Sequence, residues 1–287
     1  NEKIEKKNFL NEICNKYKPS IFVHLAAQAG VRYSLENPKS YVEANLVGTF
    51  NVLEASKNGS IKHLLMASSS SVYGNSTTLP FLENQKCETP LSFYAATKKA
   101  NEIMSHSYSH LYSIPTTMFR FFTAYGPWGR PDMALFTFTR KILNNQSIQI
   151  FNNGDMQRDF TYVSDLVHGI RLLIDKIPQK YNEQFKKIPN DSLSDVAPWR
   201  VVNIGSSNPI NLLNFVETIE NNLNMKAKKE FLGMQSGDVK CTWSSIDLLK
   251  NLTGFKPKVS IEDGIKKFLE WYILYHKKKS LDEFVKL

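Results

Sequence analysis

Short apolar runs alternate along the chain with longer stretches whose apolar positions recur every three to four residues. Ile21 to Leu25, Lys62 to Ala67, Thr116 to Phe122, Ile148 to Phe151, Asp159 to Val163 and Val201 to Gly205 read as strands. Residues 5–17, 38–57, 92–112, 133–145, 165–176, 212–223 and 261–276 read as helices. The helix over 38–57 is entered through Pro38, and its spacing predicts Val42, Leu46, Phe50 and Leu53 on the buried face. On periodicity alone, Asn45 is exposed. Ser164 is the expected N-cap of the helix from Asp165 to Lys176, and Asn211 of the helix after it. Ile265, Phe268, Leu269 and Tyr272 give the last helix a core face. The Gly- and Pro-rich stretch Thr123 to Pro131 predicts a loop, Asn152 to Asp155 a turn, and residues 178–199 a surface insertion without periodicity. Alternation of strands and helices predicts an α/β fold around a parallel sheet.

Composition narrows the function classes. The 287 residues suffice for one large domain or two smaller ones. Lysine and arginine number 36 against 27 acidic residues, a formal charge of +9. No dense basic stripe interleaved with aromatics is present, so the sign suits a dianionic substrate and no nucleic-acid partner is expected. Cys14, Cys87 and Cys241 are isolated, spaced for neither zinc nor a disulfide framework, which points to a reducing, cytoplasmic setting. No apolar run of ~18 residues calls for a membrane span. His106 and His110 lie one helical turn apart but have no glutamate at 107 and no third ligand, so no metal site is expected. His276-Lys277-Lys278-Lys279 reads as a solvated helix end.

Candidate chemistry concentrates where the strand ending at Ala67 meets Ser68-Ser69-Ser70-Ser71-Val72-Tyr73-Gly74 and, beyond it, Tyr94-Ala95-Ala96-Thr97-Lys98. On a helix, Tyr94 and Lys98 share a face one turn apart. A free tyrosine titrates near pH ~10, and an adjacent ammonium favours the phenolate, a base suited to a sugar hydroxyl. Tyr275 and Lys279 repeat the spacing in a lysine-rich tail, where chance explains it. A turn-forming loop is the bland reading of four serines. The strand before them and the Tyr/Lys helix after them place them instead at the carboxyl end of a parallel strand, where ligands bind. Ala26-Ala27 brings small side chains to another strand end, for a ligand or for close packing. Arg158 stands at a loop-to-strand corner, where its planar fork suits a diphosphate or a surface ion pair.

The segments His24 to Arg32, Asn45 to Thr49, Ala67 to Gly74, Tyr94 to Lys98, Arg120 to Ala134 and Arg158 to Val163 together resemble the extended short-chain dehydrogenase/reductase superfamily. Within its NAD-dependent epimerase/dehydratase family, the chain is most similar to UDP-glucuronate 4-epimerases. The resemblance implies a Rossmann-like, doubly wound parallel sheet over 1–127, with returning segments at about 160–177 and 200–206. A smaller α/β nucleotide-sugar domain would take 128–159 and 207–287. The implied cofactor is NAD, contacted by Leu25, Ala26, Ala27, Asn45, Ser68, Tyr94, Lys98 and Phe122. The implied substrate is a UDP-sugar, contacted by Ser70, Ser71, Thr123, Arg130, Phe151, Arg158 and Asp238. A homodimer is compatible with the resemblance, although no residue pattern decides it.

The same resemblance assigns roles. Tyr94 would take the proton of the sugar 4-hydroxyl, Ser69 would relay it, and Lys98 would hold the cofactor ribose while tuning Tyr94. Asn45 would orient the loop beneath the cofactor. Phe151 would pack near the uracil, with a plain core role as the alternative. Asp238, in Gln235-Ser236-Gly237-Asp238-Val239, would accept from the uridine ribose. Related dehydratases place Asp-Glu after the relay hydroxyl and related decarboxylases add a glutamate, whereas this chain has Ser70 and Ser71. With no such acid, epimerisation through a 4-keto sugar is the simplest outcome. Ser70, Ser71 and Thr123, with Arg130 nearby, would hold a C6 carboxylate out of the alignment that releases carbon dioxide. A UDP-glucose/UDP-galactose-type epimerase, a UDP-glucuronate decarboxylase and an inactive UDP-sugar-binding fragment are the alternatives. The family's opening strand, Gly-rich turn and helix have no counterpart here, for no Gly-x-x-Gly-x-x-Gly or Gly-x-Gly-x-x-Gly occurs. The expectation is a fragment of a longer enzyme, with a degenerate or partner-completed protein as the alternative.

Overall fold

The computed structural model describes residues 2–6, 8–57, 61–181, 188–235 and 237–284, with 277–284 as backbone only. Ser236, Lys279's side chain and 182–187 of the expected insertion lie outside the described residues. The chain runs α1 (Phe9–Tyr17), β1 (Ile21–His24), α2 (Gly48–Lys57), β2 (His63–Ala67), α3 (Phe93–Tyr112), β3 (Thr116–Phe121) and β4 (Thr123–Tyr125). It continues through α4 (Ala134–Leu143), β5 (Ile148–Ile150), β6 (Gln157–Tyr162), α5 (Val163–Ile174), β7 (Trp199–Ile204) and β8 (Pro209–Asn211). The last elements are α6 (Leu212–Leu223), β9 (Lys229–Phe231), α7 (Asp247–Thr253) and α8 (Ile261–Phe284).

Four strands pair in parallel in the order β1-β2-β3-β7, with Ala67 opposite Phe119 and Phe121 opposite Ile204. This is the parallel sheet of a Rossmann-type α/β fold. Both its faces are covered, which is why its strands read as nearly continuous apolar runs. Successive side chains point to opposite faces, so Leu64 and Met66 pack with Leu10, Val52, Leu53 and Met118. Leu65 and Phe119 pack on the other side with Leu166, Ile170, Leu173, Val202, Leu248 and Phe255. Each such leucine, fully buried, contributes about 1.5–3 kcal/mol of transfer free energy. A separate core gathers Leu135, Phe138, Ile142, Ile148, Ile150, Phe160, Phe215, Ile219, Ile265 and Phe268. It includes the predicted inner face of the last helix.

Four local expectations are corrected. Residues 38–57 are not one α-helix: Pro38–Tyr41 leads into a π-helical stretch, Val42–Val47, before α2. The wider i→i+5 turn rotates the face. Val42 (38 % exposed) and Phe50 (43 %) point outward, Leu53 is buried as expected, and Tyr41, Asn45, Thr49 and Val52 are buried with it. Secondly, Thr123 to Tyr125 is not loop but β4, which pairs with β6 and carries the chain straight from the first sheet to a second. Thirdly, α5 begins at Val163 after Tyr162, with no side-chain cap. Asp165, not Ser164, meets the neighbouring backbone there, accepting from the amides of Lys258 and Val259 (both 3.0 Å). Finally, part of the expected surface insertion is core: Leu193 and Ala197 are buried, and Asp191 pairs with the buried Arg200 (2.9 and 3.0 Å). Asn211 caps α6 as expected, its side chain accepting from the Leu213 amide (2.8 Å).

Candidate active site

The end of β2 supplies the serines. The Ser68 amide continues the ladder to Phe119 O (2.8 Å), while its hydroxyl turns inward and donates to Glu102 Oε1 (2.7 Å). Glu102 in turn accepts two hydrogen bonds from Arg120 (2.8 and 2.9 Å), so Ser68 belongs to a buried charged network. Ser69 caps the short turn Ser70–Tyr73, its Oγ accepting from the Ser71 amide (3.2 Å). Across the gap, α3 starts with the Ser92 side chain capping Ala95 N (3.1 Å), which fixes Tyr94 in the first turn.

Tyr94 and Ser69 both line the cleft, and the Ser69 hydroxyl lies near enough to the Tyr94 phenol to act on its titration. Burial pushes the Tyr94 phenol above its usual value, while the Ser69 contact and the Arg130 charge pull it down. The expected pull from Lys98 is replaced by that of Arg130. Lys98 is buried beneath the strand ends, and its ammonium donates to Ala67 O (2.9 Å). Burial lowers its pKa to about 8. His24, beside it at the end of β1, is held to about 3 by burial and by the Lys98 charge, and so stays neutral. Tyr41 stands edge-on to Tyr94 with ring centroids 6.0 Å apart, and its hydroxyl donates to Gly30 O (2.7 Å).

Arg130 grips Asp132 with two hydrogen bonds, Nε to Oδ1 (3.0 Å) and Nη2 to Oδ2 (2.5 Å). The same Nη2 lies against Gly30, where a β-carbon would sit 2.8 Å from it; glycine is needed there both for that approach and for its φ of +112°. Farther along, Arg32 and Arg158 converge on Asp238 (3.6 and 3.7 Å), and Arg32 lies over the Phe151 ring (5.0 Å). Arg158 also donates to the carbonyls of Gln157 and Lys240, within β6 rather than ahead of it.

One cleft of about 680 Å³ joins Ser68, Ser69, Ser70, Ser71, Tyr94, Phe122, Thr123, Arg130, Phe151, Arg158 and Asp238. Leu25, Ala26, Ala27, Asn45 and Lys98 do not line it. The first two are exposed at the carboxyl end of β1 and Ala27 is half-buried. Asn45 is buried behind them, accepting from Gln28 N (2.8 Å) and donating to Gln28 O and Thr97 Oγ1 (both 3.0 Å). It thus clamps the loop after β1 to α3. Sequence reasoning missed Tyr41, Arg32, Glu102 and Asp132. Arg32 and Asp132 lay inside the motif segments; Tyr41 and Glu102 are indistinguishable by spacing from ordinary helix residues. His106 and His110 are engaged with Ser194 Oγ and Val196 O (both 2.9 Å). Among the described residues no cluster of three candidate metal ligands occurs.

The model of the NAD dependent epimerase/dehydratase family matches residues 3–185. This chain belongs to that family. It is 52 % identical over 269 residues to a probable UDP-glucuronate 4-epimerase of Rhizobium meliloti, covering 94 % of this chain and 79 % of that one. It is 50 % identical over 276 residues to protein CapI of Staphylococcus aureus, covering 96 % and 82 %. Among solved structures, UDP-glucuronic acid 4-epimerase of Bacillus cereus in complex with UDP-glucuronic acid and NAD superposes with a TM-score of 0.82. That match has 29 % identity and covers 96 % of this chain and 81 % of the other. The family's cofactor is NAD. The buried Lys98 ammonium gives one of its three donors to Ala67 O, which leaves two, the donor set that a pair of ribose hydroxyls would take.

Proposed function

We propose that the protein is a UDP-sugar 4-epimerase whose substrate is UDP-glucuronate, converted to UDP-galacturonate through a 4-keto sugar. The observation that carries this reading is that Ser69 and Tyr94 meet in one cleft that also holds Ser70, Ser71, Thr123 and Arg130. NAD, when bound, supplies a hydride acceptor and donor for C4; Lys98 would hold its ribose, and Asn45 the loop beneath it. Tyr94, as phenolate, takes the 4-hydroxyl proton, and Ser69 holds the same oxygen so that the proton can return after the sugar presents its other face. Arg158, Arg32 and Asp238 hold the diphosphate and uridine ribose, with Phe151 against the base. Ser70, Ser71, Thr123 and Arg130 hold the C6 carboxylate, a group that a neutral-sugar epimerase would not need to bind. The cofactor-binding unit comprises 1–127 with returning segments, and the sugar-binding unit 128–159 and 207–287. The protein acts as a homodimer in the cytoplasm. Among the described residues, no helix is long and apolar enough to cross a membrane.

Tyr94→Phe tests the reading. We expect turnover to fall by about 10²–10⁴ while UDP binding persists. Because burial raises the Tyr94 pKa, the wild-type rate should climb with pH until the phenolate forms, and this limb should vanish in the variant. Turnover within a few-fold of wild type would assign the base elsewhere. A neutral-sugar 4-epimerase is the second reading, and wild-type affinity no greater for UDP-glucuronate than for UDP-glucose would favour it.

A further inference from the structure

We propose that Asp132 is an internal stand-in for the substrate carboxylate: it holds Arg130 in the free enzyme and yields it to an entering uronate, so that the exchange sets the discrimination between acidic and neutral sugars. This inference rests on the uronate reading above. The Nε/Nη2 edge of the Arg130 guanidinium presents two parallel N–H groups, and Asp132 fills it with the two-point geometry that a ligand carboxylate would use. Nη2, which donates to Asp132 Oδ2, also lies against Gly30, which helps to hold that edge in place. The interaction is strong enough to hold the Asp132 carboxyl below its usual range and to raise the Arg130 guanidinium above its own.

Asp132 is also built to leave. Its side chain is 62 % exposed, so rotating it into water exposes little that was dry. It sits two residues from Arg130 within a turn closed by Met133 N to Arg130 O (3.1 Å), so the partner can be released without moving the backbone. Both Arg130 and Asp132 line the cleft that holds Tyr94 and the serines. The other charges acting here are Arg32, which also draws on Asp132, and the phenols of Tyr41 and Tyr94, which face Arg130. A uronate replaces one carboxylate with another, and the guanidinium is never left unpaired. A neutral sugar has no charge to offer in return, so it leaves the Arg130–Asp132 pair in place.

The test is calorimetric titration of the NAD-loaded enzyme with UDP-glucuronate and UDP-glucose, for wild type, Asp132→Asn, Asp132→Ser and Arg130→Ala. Removing the competing carboxylate should tighten UDP-glucuronate by about two- to fivefold, the range for a partly exposed ion pair, and leave UDP-glucose unchanged. The ratio of the two affinities should therefore widen in both Asp132 variants and collapse in Arg130→Ala. Weaker uronate binding in the Asp132 variants would make Asp132 a support for Arg130 instead. An unchanged ratio, with wild-type uronate preference and its loss in Arg130→Ala intact, would overturn the exchange alone. No wild-type preference, and none lost in Arg130→Ala, would overturn the uronate reading and the exchange with it.

Discussion

Tyr94 shows what a local spacing can and cannot carry. Its place one turn from Lys98 follows from helix geometry, but which cation reaches the phenol depends on where the ammonium finds its acceptor. Lys98 finds Ala67 O, and Arg130, thirty-six residues further along the chain, acts on Tyr94. The hydroxyls beside them carry a prediction of their own. A 4-keto uronate is a β-keto acid, stable only while its carboxylate is kept out of line with the carbonyl. Ser71→Ala and Thr123→Ala should therefore release a 4-keto pentose and carbon dioxide that the wild type does not. Mass analysis of the products checks this, and an absence of pentose in both variants would remove these hydroxyls from the carboxylate's restraint. The serine run was legible at a strand end because it follows an apolar strand, whereas Thr123 came from the family resemblance; all five line the cleft. The inward turn of Ser68 was not legible, because its partner Glu102 is thirty-four residues away.

At the scale of elements, the loop carrying Arg130 is held by the last helix. Trp128 is 74 % exposed and has a left-handed backbone (φ +62°), a conformation that costs a non-glycine residue about 1–2 kcal/mol. Its ring packs against Trp271 (5.3 Å) and Tyr275 (5.2 Å) of α8, which offsets that cost. On the other side of the loop, Tyr125 lies against Gly264 of the same helix and donates to Ser260 O (3.3 Å). Trp271→Ala should loosen this support, raising KM for UDP-glucuronate several-fold with little change in kcat, and Trp271→Phe should restore most of it. Steady-state kinetics decide: an equal fall in kcat for every substrate would mean a general loss of fold. Tyr275 looked like a chance partner for Lys279 in sequence, and its contact with Trp128 gives it this different place. The 38–57 stretch teaches a related lesson. Its apolar residues were read at α-helical spacing; Leu53 is buried as that spacing expects, and the π turn that leaves Val42 and Phe50 outward comes from hydrogen bonds that no residue pattern announces.

For the whole molecule, Val42, Val47 and Phe50 are exposed on a stretch that packs against α3, which itself exposes Ile103 and Leu111. Exposed apolar side chains on two packed helices are suited to a second copy of the chain. Sedimentation velocity should therefore find a dimer, and Ile103→Glu should shift it towards monomer. A wild-type monomer at micromolar concentration, or a dimer indifferent to that substitution, would place the contact elsewhere or remove it. The chain's own pattern determined the α/β class, most strands and helices, the Tyr94–Lys98 spacing and the serines at a strand end. Those properties depend on neighbours within a turn or a pleat, and such neighbours are written consecutively. The tertiary structure alone decided that β4 links two sheets, that Asn45 is buried as a clamp, that Arg32 meets Arg158 at Asp238, and that Arg130 faces both Tyr94 and Asp132. Each of these depends on groups from distant segments competing for the same hydrogen-bonding atoms or the same buried space, and that competition is settled only when the two cores close around the cleft.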